Sequence, residues 1–215
     1  MQSVKEAIVF SGGSVDNLKQ TASFLPEDAV VICADSGVLN CEKLNFCANV
    51  VVGDFDSFDL EKARLSVCAQ NAEFIILNPV KDDTDTEFAL DKAVEKGCRR
   101  IYLLGATGTR LDHSLANIFL MEKYFKQGVE VIIVNENNIL HYLNNSELTL
   151  KKGPMNYVSV IPLEKVMVSN SGFKYPLCKE YLYRDSSRGI SNELVTSTGS
   201  ITVSGGSALV VESRD

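Results

Sequence analysis

Short apolar runs alternate with amphipathic, helix-length segments from residue 4 to about residue 135. The apolar runs are rich in β-branched residues and lack a strict polar alternation, which is typical of strands buried on both faces of a parallel sheet. We predict strands at 7–10, 29–33, 49–52, 74–77, 101–104 and 129–134. Helices are predicted near 16–25, 38–45, 59–70, 84–97 and 112–127. This order indicates repeated β-α-β units and a mostly parallel sheet.

The last two predicted helices carry clear end signals. Thr84 and Glu87 form a capping-box pattern, and Gly97 stands where a helix-ending glycine is expected. Asp112 is predicted to cap the final helix, and Gly128 to close it. The apolar face of that helix is expected to comprise Leu115, Ile118, Phe119 and Phe125.

After about residue 137 the pattern changes to short strand-like runs separated by Gly, Pro, Asn and Ser turns. These runs are 148–150, 157–161, 166–168, 180–183, 198–203 and 208–211. Such spacing, with no convincing helix, is typical of an antiparallel sandwich or barrel. We therefore predict an α/β N-terminal domain over 1–136, followed by an all-β C-terminal sandwich or barrel-like domain over 137–215.

Composition and charge exclude several classes of function. The formal net charge is −7, and no Lys/Arg run offsets it, which argues against a nucleic-acid-binding surface. No apolar run reaches the roughly 18 residues of a membrane span, and we find no signal-peptide pattern at the amino terminus. The six cysteines form no Cys-x-x-Cys pair, and we expect them to be small buried residues. A cytoplasmic protein with no membrane or nucleic-acid partner is expected.

The loops that follow the predicted strands carry most of the polar residues that could perform chemistry. In a parallel sheet these loops converge on one edge, where α/β proteins bind their ligands. The loops are Ser11-Gly12-Gly13, Ala34-Asp-Ser-Gly37, Gly53-Asp-Phe-Asp56, Lys81-Asp-Asp-Thr-Asp85 and Gly105-Ala-Thr-Gly-Thr-Arg-Leu-Asp-His113. Acids suited to a metal and donors suited to a phosphate therefore share one edge.

Asp54 and Asp56 lie two residues apart directly after the strand at 49–52. Carboxylates this close repel each other unless a cation or hydrogen-bond donors compensate, and such clusters suit Mg²⁺ bound to a polyphosphate. We accordingly expect repulsion among Asp54, Asp56 and Asp85 in the metal-free protein. An alternative for an isolated Asp-x-Asp is a solvated Asx turn.

Five of these motifs, in order and spacing, resemble the thiamine pyrophosphokinase family over nearly the whole chain. They are Ala34-Asp-Ser-Gly37, Gly53-Asp-Phe-Asp-Ser57, Asp82-Asp-Thr-Asp85, Gly105–His113 and Gly189-Ile-Ser-Asn192. The resemblance implies transfer of diphosphate from ATP to the hydroxyl of thiamine, with release of AMP, Mg²⁺ as cofactor, and a homodimer with thiamine between subunits. Directly before the arginine of the Gly105–His113 motif the family usually has paired glycines, whereas this chain has Gly108-Thr109. The chain also has no tryptophan that could cover the thiamine ring.

The same resemblance implies a role for each matching residue. Mg²⁺ would be held by Asp54, Asp56 and Asp85, with Asp85 near the attacking hydroxyl. Arg110 would pair with phosphate oxygens. The nucleotide would be lined by Asp35, Gly105, Thr107, Gly108, Asp112 and Asn117. Ser191 and Asn192 would face the thiamine pyrimidine, with Thr84 opposite from the other subunit.

Three other functions fit parts of the sequence. A diphosphokinase for another hydroxymethyl heterocycle, such as a pterin, would differ only in the C-terminal half. A haloacid-dehalogenase-type phosphatase also places Asp-x-Asp after a strand, but Ser57 replaces the expected Thr. A non-catalytic thiamine- or nucleotide-binding module would not need four charged residues of this kind, namely Asp54, Asp56, Asp85 and Arg110.

Overall fold

The structure is a computed structural model that describes residues 5–15, 18, 24–56 and 59–215. Its chain divides into two compact units, Met1–Glu136 and Asn137–Asp215. The helix predicted near 16–25 lies almost wholly outside the described residues. Within the described residues, no helix has both the length and the apolar character that a membrane crossing requires.

The described residues of the first unit form a six-stranded parallel sheet. Its strands are β1 (Glu6–Phe10), β2 (Val30–Ala34), β3 (Val50–Gly53), β4 (Glu73–Ile76), β5 (Arg100–Leu104) and β6 (Glu130–Val134). They are ordered β4-β3-β2-β1-β5-β6. The chain thus builds outward from β1 in one direction and then continues from β5 in the other. This reversal between β1 and β5 creates a crevice at the carboxyl ends of the strands, where open α/β sheets bind ligands.

In the part of this unit that the structure describes, four α-helices connect the strands. They are α1 (Gly37–Lys43), α2 (Leu60–Leu65), α3 (Asp85–Glu95) and α4 (Leu111–Phe125), with a short 3-10 helix at Val67–Ala69. The single helix predicted over 59–70 is therefore wrong, because Ser66 is extended and separates α2 from the 3-10 turn. Gly97 and Gly128 have φ of 84° and 72°, which confirms their role as helix-ending glycines.

The caps of α3 and α4 differ in how well the sequence predicted them. The Thr84 hydroxyl accepts a hydrogen bond from the Glu87 N–H, as the capping box requires, whereas the Glu87 carboxylate binds Lys123 at 2.8 Å. The prediction of Asp112 as the cap of α4 is wrong. The helix begins at Leu111, and Arg110 occupies the cap position. The Asp112 carboxylate is bonded to the Arg110 guanidinium.

The predicted apolar face of α4 is also wrong in part. Leu115 and Phe119 are 42% and 54% exposed, and Leu111, one turn before Leu115, is 69% exposed. The residues buried beneath the helix are Ser114, Asn117, Met121 and Tyr124. Two of these four are small polar residues, so hydrophobicity along the sequence did not reveal which face is inside.

The second unit consists of antiparallel strands. They are β7 (Asn138–Asn144), β8 (Glu147–Lys151), β9 (Tyr157–Pro162), β10 (Val166–Ser171), β11 (Glu180–Leu182), β12 (Thr198–Ser204) and β13 (Ser207–Ser213). They pair as β7-β13-β9 and as β11-β10-β12-β8. Residues from both groups share one apolar core that includes Leu143, Val160, Val168 and Ile201. The predicted fold class is confirmed, although β7 was not among the predicted strands.

The cysteines follow the sequence prediction only in part. Cys33, Cys41, Cys68 and Cys98 are buried free thiols, and burial raises the pKa of Cys68 to about 12. These four behave as small apolar residues. The other two, Cys47 and Cys178, are exposed, so for them the expectation of burial is wrong.

Candidate active site

Two glycine-containing loops meet at the crevice between β1 and β5. The Ser11 N–H donates to the Leu104 carbonyl and the Gly13 N–H to the Gly105 carbonyl, both at 2.8 Å. A Cβ on Gly13 would lie 2.4 Å from the Gly105 oxygen. Gly105 has a φ of 67°, and a Cβ there would lie 2.4 Å from the Ser11 oxygen. Both positions therefore require glycine, because the two backbones touch.

Side chains from two helices hold the first loop in place. The Asn40 amide of α1 donates to the carbonyls of Ser11 and Gly13 at 2.7 and 2.6 Å. The hydroxyls of Ser11 and Thr86 are 2.7 Å apart and buried. These bonds satisfy polar groups that would be costly to bury unpaired. Asn40 was not among the predicted site residues, since a single Asn within a helical segment carries no distinguishing signal.

The second loop, which follows β5, is held in a similar way. The buried Asn117 amide donates to the Ala106 carbonyl at 2.8 Å, and the Asn135 amide donates to the Thr107 hydroxyl at 2.9 Å. The Gly108 N–H donates to the Ser114 hydroxyl at 3.1 Å. In this structure Asn117 therefore shapes the loop through its amide.

Two adjoining clefts open at this edge of the sheet. We call the first, of about 580 Å³, the acid cleft; among the described residues, its lining has six carboxylates and two cations. These are Asp35, Asp54, Asp56, Asp82, Asp83 and Asp85, with Lys81 and Arg110. We call the second, of about 250 Å³, the glycine cleft; its lining includes Gly13, Gly105, Thr107, Gly108 and Asn117. Arg110 and His113 line both clefts.

The turn between Asp54 and Asp56 is tight. Phe55 has a φ of 55°, which is uncommon for an aromatic residue, and the Asp56 N–H donates to the Asp54 carboxylate at 3.2 Å. The Asx turn considered as an alternative is thus present, and both acids also line the acid cleft. A backbone held in a sparsely populated region is typical of functional sites.

Lys81 lies between two of the predicted metal ligands. Its ammonium is 2.5 Å from Oδ2 of Asp54 and 2.8 Å from Oδ1 of Asp85. The hydrogen bond from Lys81 lowers the pKa of Asp54. Burial opposes the charge on Lys81, but its bonds to the two carboxylates outweigh burial and raise its pKa. The charged forms therefore stabilise one another.

The expectation of unrelieved repulsion among the acids is therefore wrong for Asp54 and Asp85. Within the described residues, no three Asp, Glu, His or Cys side chains converge in a ready-made metal cage. In the sequence, the Lys81–Asp85 segment is notable for its acids, and no role was predicted for Lys81 itself. The available signal was the four-residue spacing of Lys81 and Asp85 at a helix start, which allows an ion pair.

Arg110 and Asp112 form a paired contact at the start of α4. The guanidinium donates to both carboxylate oxygens, from Nε at 3.2 Å and from Nη2 at 2.5 Å. This pairing lowers the pKa of Asp112 to about 2, and a hydrogen bond from the His113 N–H makes a smaller contribution in the same direction. Both side chains are more than 60% exposed, so the pair is open to exchange with another anion. Asp112 does not line either cleft.

The predicted thiamine contacts of the second unit lie in the chain before β12. Ser191 has a φ of 58°, and its N–H donates to the Ser159 hydroxyl at 2.9 Å. The Asn192 side chain accepts from the Tyr175 N–H at 3.0 Å and donates to the Tyr175 carbonyl at 2.7 Å. Asn192 thus fastens the segment around Tyr175, a residue that is 59% exposed.

Comparison with known proteins identifies the family. The protein-family model described as "Thiamin pyrophosphokinase, catalytic domain" matches residues 21–133, slightly more than half of the chain. The model described as "Thiamin pyrophosphokinase, vitamin B1 binding domain" matches residues 145–210. The chain belongs to the thiamin pyrophosphokinase family. The resemblance seen in the five motifs is confirmed.

Individual members of the family are similar to this chain over almost the full length of both proteins. A thiamine pyrophosphokinase of Bacillus subtilis is 29% identical over 99% of this chain and 100% of its own length. The crystal structure of the thiamine pyrophosphokinase from the same species has a TM-score of 0.87, covering 98% of this chain and 100% of that one. That of Geobacillus thermodenitrificans is 33% identical, covers 98% of each chain and has a TM-score of 0.84.

Membership in the thiamin pyrophosphokinase family establishes the reaction. The chain is an ATP-dependent diphosphotransferase that converts thiamine and ATP to thiamine diphosphate and AMP. In such a transfer the thiamine hydroxyl oxygen bonds to the β-phosphorus, the bond from that phosphorus to the AMP oxygen breaks, and the hydroxyl proton is released. The reaction needs little covalent assistance, so positioning and charge neutralisation dominate.

Proposed function

We propose that the acid cleft and the glycine cleft together bind Mg²⁺ and ATP, with the phosphates near Asp54, Asp85 and Arg110. The observation that carries this proposal is the charge of the acid cleft, where the residues described by the structure place six carboxylates and two cations beside a pair of glycine loops. Such a cleft repels a polyphosphate unless a further cation accompanies it. The position, at the reversal of strand order, is where α/β sheets bind nucleotides.

The residues present fit a magnesium ion. Asp54, Asp56 and Asp85 offer carboxylate oxygens, which this hard cation prefers. The Asp85 Oδ1 atom lies 2.8 Å from the Lys81 ammonium, so it already faces a cation. Two of the acids already enclose a cation, the Lys81 ammonium. When bound, Mg²⁺ would neutralise charge that develops on the phosphate oxygens.

The proposed nucleotide contacts come from both sides of the crevice. Asp35 follows β2 and has a φ of 47°. Its N–H donates a hydrogen bond to the Val52 carbonyl, which fixes its position. On the other side, the loop after β5 contributes Gly105, Thr107 and Gly108, shaped from below by Asn117. We assign Asp112 an indirect role, since its carboxylate orients Arg110 until phosphate oxygens replace it.

We propose that Asp85 orients the thiamine hydroxyl for attack in line with the departing AMP. Asp85 is the first residue of α3, and the Thr84 cap fixes the helix start beside it. A carboxylate can accept a hydrogen bond from the hydroxyl and align its lone pair with the β-phosphorus. The planar Arg110 guanidinium would neutralise phosphate oxygens during transfer.

For thiamine itself we propose a site shared between two copies of the chain. Thr84 would contact it from one subunit, and the segment of Ser191 and Asn192 from the other. Two-fold symmetry would form two such sites per homodimer. We also propose a cytoplasmic location, because all six described cysteines are free, as is typical of reducing compartments.

The assay for the metal proposal compares product formation with Mg²⁺ and with a chelator. AMP and thiamine diphosphate should form from ATP and thiamine only with the divalent cation. Unchanged turnover in the chelator would contradict the metal requirement. Replacing thiamine with a hydroxymethyl pterin should give no diphosphate ester, and transfer to the pterin at a comparable rate would favour the alternative acceptor.

A first prediction concerns Arg110→Lys. The lysine keeps the charge but cannot bridge two phosphate oxygens, so kcat/KM for ATP should fall about 10- to 100-fold while the KM for thiamine changes little. Steady-state kinetics with each substrate varied would measure both. The matched control is Arg188→Lys, which alters an exposed arginine paired with Glu180 in the other unit and should behave as wild type. Unchanged ATP kinetics would remove Arg110 from the phosphate site.

A second prediction tests the shared thiamine site by complementation. Chains carrying Asp54→Asn and chains carrying Asn192→Ala should each be nearly inactive, because each alters one half of every site. After mixing and subunit exchange, activity should recover to at most about one quarter of wild type, since half of the dimers are mixed and each has one intact site. Mass measurement would confirm mixed dimers. If these form without recovery of activity, each site lies within one chain.

A further inference from the structure

Lys81 occupies the place between two acids that come from different parts of the chain. Asp54 follows β3, whereas Asp85 is the first residue of α3. The ammonium is within 2.8 Å of both, and the Lys81 side chain is 19% exposed, beside 10% for Asp54 and 21% for Asp85. The lysine is thus the positive centre of a largely enclosed three-residue cluster.

The oxygens that face Lys81 cannot bind Mg²⁺ at the same time. Magnesium requires ligand oxygens at about 2.0–2.1 Å in nearly ideal octahedral geometry. An ammonium 2.5 Å from Asp54 Oδ2 and 2.8 Å from Asp85 Oδ1 already fills the space that these oxygens enclose. Entry of the metal between them therefore requires that the ammonium move out.

We propose that Lys81 is a resident counter-cation that excludes free divalent metal from the empty site and gives way when the metal arrives with ATP. The inference rests on the proposed metal site. Lys81 is a positioning residue that holds Asp54 and Asp85 together before substrate binds. Its four-carbon stem is flexible and its ammonium is readily hydrated, so it can leave without rearrangement of the backbone.

Bound ATP offers the Lys81 ammonium anionic partners other than Asp54 and Asp85. Polyphosphate brings several negative charges to the cleft, so the displaced ammonium gains a new partner in the same cleft. Free Mg²⁺ brings no such partner and must compete with the lysine for both carboxylates. The consequence is a site that binds metal weakly alone and strongly with ATP.

The chain contains a matched lysine outside both clefts. Lys123 of α4 also joins two carboxylates, at 2.8 Å from Glu87 and 3.5 Å from Asp91 of α3. None of these three residues lines the acid cleft or the glycine cleft. Lys123→Met therefore removes a comparable ion-pair cluster without touching the proposed site.

The experiment measures Mn²⁺ binding to the nucleotide-free protein by the electron paramagnetic resonance signal of the unbound ion. Lys81→Met should bind Mn²⁺ at least about tenfold more tightly than wild type, because the metal no longer displaces a charge-assisted hydrogen bond. Lys81→Arg, which keeps a cation, and Lys123→Met should both bind as wild type does. Unchanged or weaker binding by Lys81→Met would overturn the inference.

Asp54→Asn separates this inference from the proposed metal site. If that variant binds Mn²⁺ with ATP as tightly as wild type does, the metal site is wrong. If it loses metal binding while Lys81→Met matches wild type, the metal site stands and the role of Lys81 is wrong. Lys81→Gln serves as a second variant should Lys81→Met fold poorly.

Thermal stability provides an independent readout. Without metal, Lys81→Met should unfold at a lower temperature than wild type, since Asp54 and Asp85 then repel each other. Added Mg²⁺ should raise the midpoint of Lys81→Met more than that of wild type or Lys123→Met, because at a given concentration a ligand that binds more tightly stabilises the folded state more. An equal Mg²⁺ response in all three proteins would contradict the inference.

Discussion

Asp54→Asn should lower kcat by about 10²- to 10³-fold, the range for loss of one group that stabilises charge in the transition state. Asp54 combines two roles in our proposal, since it would hold the metal and it anchors Lys81. In metal-free buffer the variant should also lose about 1–2 kcal/mol of unfolding free energy, because the short charge-assisted bond to Lys81 is removed. Steady-state kinetics at saturating Mg²⁺ and chemical denaturation would measure the two effects.

The stability result distinguishes two interpretations of the acid cluster. Simple repulsion among carboxylates predicts that Asp54→Asn stabilises the metal-free protein, whereas the lowered pKa of Asp54 predicts the opposite. Asp91→Asn is the matched control, since Asp91 also pairs with a lysine and lies outside both clefts. That control should keep its turnover. A kcat near wild type in Asp54→Asn would refute the metal assignment.

Gly105→Ala should destabilise the protein by about 2–4 kcal/mol and abolish ATP turnover in whatever protein folds. The new Cβ would lie 2.4 Å from the Ser11 carbonyl oxygen, on a backbone with a φ of 67°. The strain of a left-handed residue costs about 1 kcal/mol, and separating the two loops adds the rest. Separation would also break the Gly13 N–H bond to the Gly105 carbonyl, on which the glycine cleft depends.

Gly97→Ala isolates the backbone strain from the clash. Gly97 has a φ of 84°, but a Cβ there would meet nothing within 4 Å. It should cost only about 1 kcal/mol and leave the kinetics unchanged. Denaturation curves of both variants and the KM for ATP would test the difference. Equal losses in the two variants would show that contact between the loops contributes little.

The sequence by itself determined the two halves, most strand positions and the family. Strands buried on both faces leave uninterrupted β-branched runs, and half-buried antiparallel strands leave short runs between turn residues; both patterns are local. The helix-ending role of Gly97 and Gly128 could be predicted for the same reason, because a helix end depends on residues that are close in sequence. The polar loops could be assigned to one edge because parallel strands place their carboxyl ends together.

Only the tertiary structure decided which groups touch. It placed the Lys81 ammonium between Asp54 and Asp85, which turned an expected repulsion into an ion-pair cluster. It showed Asn40 of α1 holding the loop after β1, a contact 27 to 29 residues apart in sequence. It also exposed Leu115 and Phe119 while burying Ser114 and Asn117. These outcomes depend on distances between segments remote in sequence, and such distances leave no trace in local periodicity.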